Sequence, residues 1–118
     1  MRILRLMVLA VISMAEAQQA PSHFLIEYEL TASVDITHLS QPQMALAQEH
    51  AARLAKLRDE GVVIVGGRTG NMQHPRGIVI VAAKDADTAR VLAAADPAVK
   101  GGLMKASVEP FTLAVPPR

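Results

Sequence analysis

A chain of 118 residues with 12 basic and 11 acidic side chains is long enough for one domain with a modest core and too short for two. Its balanced charge, with no cluster of Lys and Arg, excludes the electrostatic footprint of a nucleic-acid or membrane-surface protein. No tryptophan, one tyrosine and two phenylalanines leave no stacking platform for bases or sugars, and the absence of cysteine removes disulfides and thiolate nucleophiles.

The chain begins "MRILRLMVLAVISMAEAQQA". Two arginines, an apolar run from Leu6 to Ala15 and the small-residue pattern Ala15-Glu16-Ala17 predict a secretory signal peptide over residues 1–17, cut after Ala17. The apolar run is about half of the ~20 residues that a membrane span needs. No cysteine follows it for a lipid anchor, so residues 18–118 are expected as a periplasmic or secreted domain without membrane attachment. Removing Arg2, Arg5 and Glu16 leaves ten basic and ten acidic side chains, and the mean hydropathy of +0.26 owes much to this leader.

"HFLIEYELT" alternates, with Phe24, Ile26, Tyr28 and Leu30 on one face, and predicts a half-buried first strand. "ASVDITHLS" has no period and reads as a loop. A long helix is expected from about Pro42, after Ser40, to Glu60, stopped by Gly61. "VVIVGGR" and "GIVIVAA" read as an antiparallel pair joined by the turn-forming "TGNMQHPR". "KDADTARVLAAADP" is a second helix capped by Asp85 and ended by Pro97. A turn through "AVKGG" then leads into a last strand in "LMKASVEPFTLAV", irregular or at an edge around Pro110.

The order β-α-β-β-α-β, with right-handed crossovers, makes an α+β ferredoxin-like protomer: four antiparallel strands with two helices on one face. The Val and Ile runs of the middle strands make both sheet faces look apolar. The uncovered face therefore predicts a homodimer packed sheet to sheet.

Within the long helix, Leu46, Ala47, Leu54 and Leu57 fall within about 60° of His50 at 100° per residue, so a histidine occupies the centre of the buried stripe. Such a ring needs a partner, because an unsatisfied buried polar group costs roughly 1–3 kcal/mol. Asp96 is a candidate. A carboxylate at the C-terminal end of the second helix is disfavoured by the helix dipole, and an imidazole donor would compensate. Asp96-Pro97 is equally an N-cap with proline at the first helical position of a short turn, and both readings stand.

The stretches "EHAARLAKLRDEGVVIVGGR" and "ARVLAAADPAVKGGLMKASVEPF" together resemble the YCII-related family. The shared features are a histidine in the first helix, a helix end of the form Leu-x-x-x-Gly, and Ala-Asp-Pro-x-x-x-x-Gly before a strand ending in Pro-Phe. The resemblance implies a dimeric α+β barrel of ferredoxin-like protomers. It also implies an active-site histidine–aspartate pair, which maps onto His50 and Asp96. Gly66-Gly67-Arg68 departs from the Gly-Pro of many members, and a signal peptide is atypical of them. Elimination of chloride from a hydroxylated aromatic is among the activity types it suggests.

A histidine held by a carboxylate suits single-proton transfer: abstraction beside a carbonyl, isomerisation, lactone opening or elimination. The expected function is a small-molecule acid–base enzyme of isomerase, lyase or hydrolase type, needing no metal or organic cofactor, with His50 and Asp96 as catalytic residues. The alternative is a non-catalytic dimeric module that holds a small ligand. Arg68 is the candidate substrate-binding cation, reaching over a strand end to an anionic group. His23, His38 and His74 lack ligand spacing, and Met72, His74 and Met104 make only a weak copper pattern.

Overall fold

The computed structural model describes residues 22–118; the expected leader, residues 1–17, lies outside the described residues. The elements are β1 (Ser22–Leu30), a 3-10 turn (Ile36–His38), α1 (Gln41–Asp59), β2 (Val63–Thr69), β3 (Arg76–Ala83), α2 (Ala86–Ala94), α3 (Pro97–Lys100) and β4 (Met104–Phe111). The strands form one antiparallel sheet in the order β2-β3-β1-β4. This is the ferredoxin-like α+β arrangement expected from the sequence.

Local chemistry sets the helix ends. Ser40 accepts from the Gln43 backbone N–H while the Gln43 side chain accepts from the Ser40 N–H, a reciprocal capping box, with Pro42 in the first turn. Glu60 closes α1 and Gly61 follows at φ +79°, a left-handed conformation that carries no steric penalty in glycine. Asp85 caps α2 through the Thr88 N–H.

The core lies between the sheet and α2. Phe24, Ile26 and Tyr28 of β1 and Val79, Val81 and Ala83 of β3 are buried together with Ala89 and Ala93 of α2. Alanines on α2 let the helix sit close to the sheet, so small side chains fill this half to interior density. Helix α1 is placed differently: it leans on β2 and α3, and none of its residues is fully buried. Leu46 anchors it to α3, where a Cβ on Gly101 would stand only 2.6 Å from Leu46 Cδ1.

Two details depart from the sequence-based expectation. The segment after β1 contains a 3-10 turn, because the Asp35 carboxylate accepts from both the N–H and the hydroxyl of Thr37. The "AVK" stretch is not a turn but the helix α3. Pro110, by contrast, meets one of its two expected readings: it lies in β4, paired opposite Phe24, and is tolerated there because β4 is an edge strand.

The outer face of the sheet is divided. One half carries Leu25, Val65, Ile78, Ile80 and Phe111; the other carries the pairs Arg76–Glu27 at 3.1 Å and Lys105–Glu29 at 3.9 Å. The apolar outer face expected from the Val and Ile runs holds for the first half and not for the second, where alternation along β1 and β4 places charged side chains outward.

Candidate functional site

His50 sits at the middle of α1 and points toward the sheet. Its Nδ1 is 2.8 Å from Asp96 Oδ2, and its ring meets the Tyr28 ring edge-to-face, with centroids 4.8 Å apart and planes at 73°. Among the described residues no hydrogen bond reaches Nε2, and no buried side-chain nitrogen or oxygen lacks a partner. Nε2 is therefore the nitrogen open to the adjoining cavity.

Asp96 fills both roles that its sequence context allows. It follows the last turn of α2 and N-caps α3: Oδ1 accepts from the Ala98 N–H at 2.9 Å while the backbone carbonyl begins the helical ladder. The cap uses one carboxylate oxygen and leaves the other for His50, so the two readings do not compete. The side chain is completely buried. Burial alone would raise its pKa; the His50 hydrogen bond, the Ala98 N–H and the nearby Arg53 cation outweigh it and hold the carboxyl below its ordinary range. An ionised Asp96 makes Nδ1 the proton-bearing nitrogen, and in the neutral ring this leaves a lone pair on Nε2.

Two residues join the site that the sequence reading did not assign to it. Arg53, three positions after His50, donates from Nη2 to the Leu92 carbonyl at 2.8 Å and places Nη1 3.4 Å from Asp96 Oδ2. It supplies a permanent positive charge for the buried carboxylate, so the imidazole need not be charged for Asp96 to be compensated. The sequence carries a signal for it, since the i+3 position lies at the edge of the same stripe as His50. Tyr28 forms the floor beneath His50. Burial, reinforced by the Asp96 carboxylate and opposed by Arg53, pushes its phenol up to about 12. Tyr28 is the sole tyrosine and there is no tryptophan, so phenolate absorbance reports it alone. We expect a titration midpoint near 12 in the folded protein and about 10 after denaturation; coincident midpoints would contradict the burial.

A cavity of about 570 Å³ lies between α1 and the sheet beside His50. Its roof is Ala47, Ala51 and Ala55 of α1, and its floor includes Gly66, Gly77 and Tyr28. An added Cβ at Gly66 would come no nearer than 3.5 Å to another atom, and at Gly77 no nearer than 3.6 Å. These glycines therefore answer no steric need of the backbone. Their effect is to leave the floor without side chains.

Arg68 also lines this cavity, for a reason in β2. Val63 pairs with Val81, but Val65 pairs with Ile80, so Ile64 is an extra residue, a β-bulge. The bulge reverses the alternation: Val65 turns outward and is 59% exposed, while Gly66 and Arg68 turn to the helix face. His38 is bound to Asp35 at 3.1 Å on the surface. His74 and Met72 line a second, outer concavity, away from Met104, which borders the first. The three residues of the copper pattern are thus not brought together, and the described residues contain no group of three His, Asp or Glu side chains able to hold a metal.

Fold and site together define an α+β sandwich with a carboxylate-held histidine at a cavity between helix and sheet. Residues 21–112 match the YCII-related domain, and the chain belongs to that family. Among solved structures it is similar to 5-chloro-2-hydroxyhydroquinone dehydrochlorinase from Burkholderia phenoliruptrix AC1100, in complex with 2,5-dihydroxybenzoquinone. The identity is 22%, over 76% of this chain and 93% of that one, with a TM-score of 0.53. No curated protein sequence matches the chain.

Proposed function

We propose that this domain is a small-molecule enzyme in which His50 takes up and returns one proton of a compound held in the cavity. The observation that carries this reading is the 2.8 Å contact between His50 Nδ1 and a fully buried, ionised Asp96. It orients the ring, fixes the tautomer and directs a basic Nε2 at the cavity. Arg53 balances the carboxylate and Tyr28 supports the ring from below.

The chemistry open to such a base is enolisation, isomerisation or elimination. In an elimination a proton passes to Nε2, the electron pair it leaves forms a new π bond, and an anion such as chloride departs. The dehydrochlorinase of similar fold makes chlorinated hydroxyhydroquinones the first compounds to try. The test combines chloride release from these compounds with deuterium incorporation from D2O into small enolisable ketones and lactones, for wild type and His50→Asn. Turnover by the wild type that collapses in the variant supports the proposal. Equal rates in the two proteins would end it.

The apolar half of the outer sheet face, with Val65 59% and Phe111 37% exposed, supports a second copy of the chain packed there, and the pattern of residues 1–17 supports export. Light scattering on the purified domain is expected to return twice the protomer mass at micromolar concentration, and the intact mass of protein from an expressing cell to begin at Gln18. A stable monomer, or an uncut chain, would refute the respective expectation.

A further inference from the structure

The inner face of the sheet sets Arg68, Gly77 and Tyr28 in one row across β2, β3 and β1. With strands about 4.8 Å apart, the backbones of Arg68 and Tyr28 stand about 10 Å apart. The place between them has no side chain. On one side of this bare place is a cation; on the other are the Tyr28 ring and, above it, His50. The remaining walls are apolar, with Ile36, Leu39, Leu54 and Met104 among them, and no aspartate or glutamate of the described residues lines the cavity. Arg58 also borders it but is already paired with Asp59 at 3.1 Å. Among the described residues, no carboxylate is paired with Arg68.

We infer that the cavity selects a compact monoanion whose apolar body lies on Gly77, whose acidic group is held by Arg68, and whose reacting carbon lies beneath His50. The inference rests on the acid–base reading above and adds the ligand class to it. Each part has its own physical cause. The bulge at Ile64 brings Arg68 to the helix face. Gly77 leaves room for a ring-sized body between the cation and the histidine. The lack of acidic side chains makes a cationic ligand unfavourable and an anion favourable. Discrimination comes as much from what the apolar walls refuse as from what Arg68 attracts, since a second charge or a polar body would lose its water there without a partner.

The test uses benzoate, benzamide and benzylammonium as matched probes of one shape and three charges, with dissociation constants measured by ligand-observed NMR at low salt. Wild type is expected to bind benzoate about tenfold more tightly than benzamide, and benzylammonium most weakly. The preference should shrink as salt is added, because Arg68 is exposed. Arg68→Gln should reduce the benzoate-to-benzamide ratio to about one while leaving benzamide binding unchanged. Gly77→Val should abolish binding of both in a protein that stays folded by circular dichroism, since an added Cβ there makes ordinary contacts and valine suits a strand. Equal affinities in the wild type, a ratio that survives Arg68→Gln, benzoate binding that survives Gly77→Val, or no saturable binding at all would each overturn the inference. The two readings fail separately. A charge preference that behaves as expected in a protein without turnover removes the acid–base reading alone, and turnover confined to neutral substrates removes this one alone.

Discussion

Asp96→Ala is expected to lower the free energy of unfolding by about 3–5 kcal/mol, the range found when one partner of a buried ion pair is deleted. One carboxylate receives the Ala98 N–H, His50 Nδ1 and the Arg53 guanidinium. Its removal leaves a buried backbone donor unpaired, a mostly buried cation uncompensated and α3 without its cap. For a domain whose whole stability is of order 5–15 kcal/mol, that is a large fraction. Asp96→Asn keeps the volume and the capping oxygen and is expected to lose less. Urea unfolding monitored by circular dichroism measures both, and a change under about 0.5 kcal/mol in Asp96→Ala would show that the pair contributes nothing to folding.

The same carboxylate sets a pH dependence whose sign follows from its depressed pKa. The folded protein holds Asp96 ionised to lower pH than the unfolded chain does. Its stabilisation is therefore complete above the unfolded-state value, about 3.9, and is lost as the pH falls through the folded-state value. The stability gap between wild type and Asp96→Asn should therefore narrow as the pH falls below about 4, which urea unfolding across an acid pH series measures.

The second large effect is on turnover. His50→Asn keeps an amide donor near the Nδ1 position, so Asp96 remains hydrogen-bonded, but it removes the basic Nε2. Under the proposed function kcat should fall by about 10²–10⁴-fold, with KM little changed. Loss of the edge-to-face contact with Tyr28 should cost about 1 kcal/mol of stability. The variant also tells three roles of His50 apart. A catalytic base loses turnover and keeps its fold, a purely structural pair loses stability, and a binding module loses affinity with no turnover to lose. The assay is steady-state kinetics on whichever compound the wild type converts, beside urea unfolding of the same two proteins.

The four strands, the two longer helices and the placement of the histidine were legible in the residues alone; the 3-10 turn and the helical form of α3 were not. Helix α1 starts and ends where Ser40, Pro42 and Gly61 require, because capping and left-handed φ are properties of a few adjacent residues. The alternation Phe24-Ile26-Tyr28 and the Val and Ile runs determined the strands, and the order of elements with right-handed crossovers determined the sheet. His50 was legible because helical spacing alone places it among leucines. Asp96 was legible only as two alternatives, since a residue between two helices can be read as the end of one or the cap of the next. It does both because the assembled fold points its two oxygens at different donors, Oδ1 at the Ala98 N–H and Oδ2 at His50.

Arg53 and the orientation of Arg68 were settled at that same level. Arg53 becomes part of the site because α2 brings Leu92 and Asp96 against α1. That contact joins residues about forty positions apart, and no local pattern encodes it. Arg68 follows a run, Val63-Ile64-Val65, whose simple alternation would put it on the outer face with Val63 inward. One bulged residue reverses every later side chain of β2 and turns the arginine into the cavity. A bulge arises from how one strand pairs with its neighbour, so the cavity-facing side of β2 is a property of the assembled sheet and not of the strand.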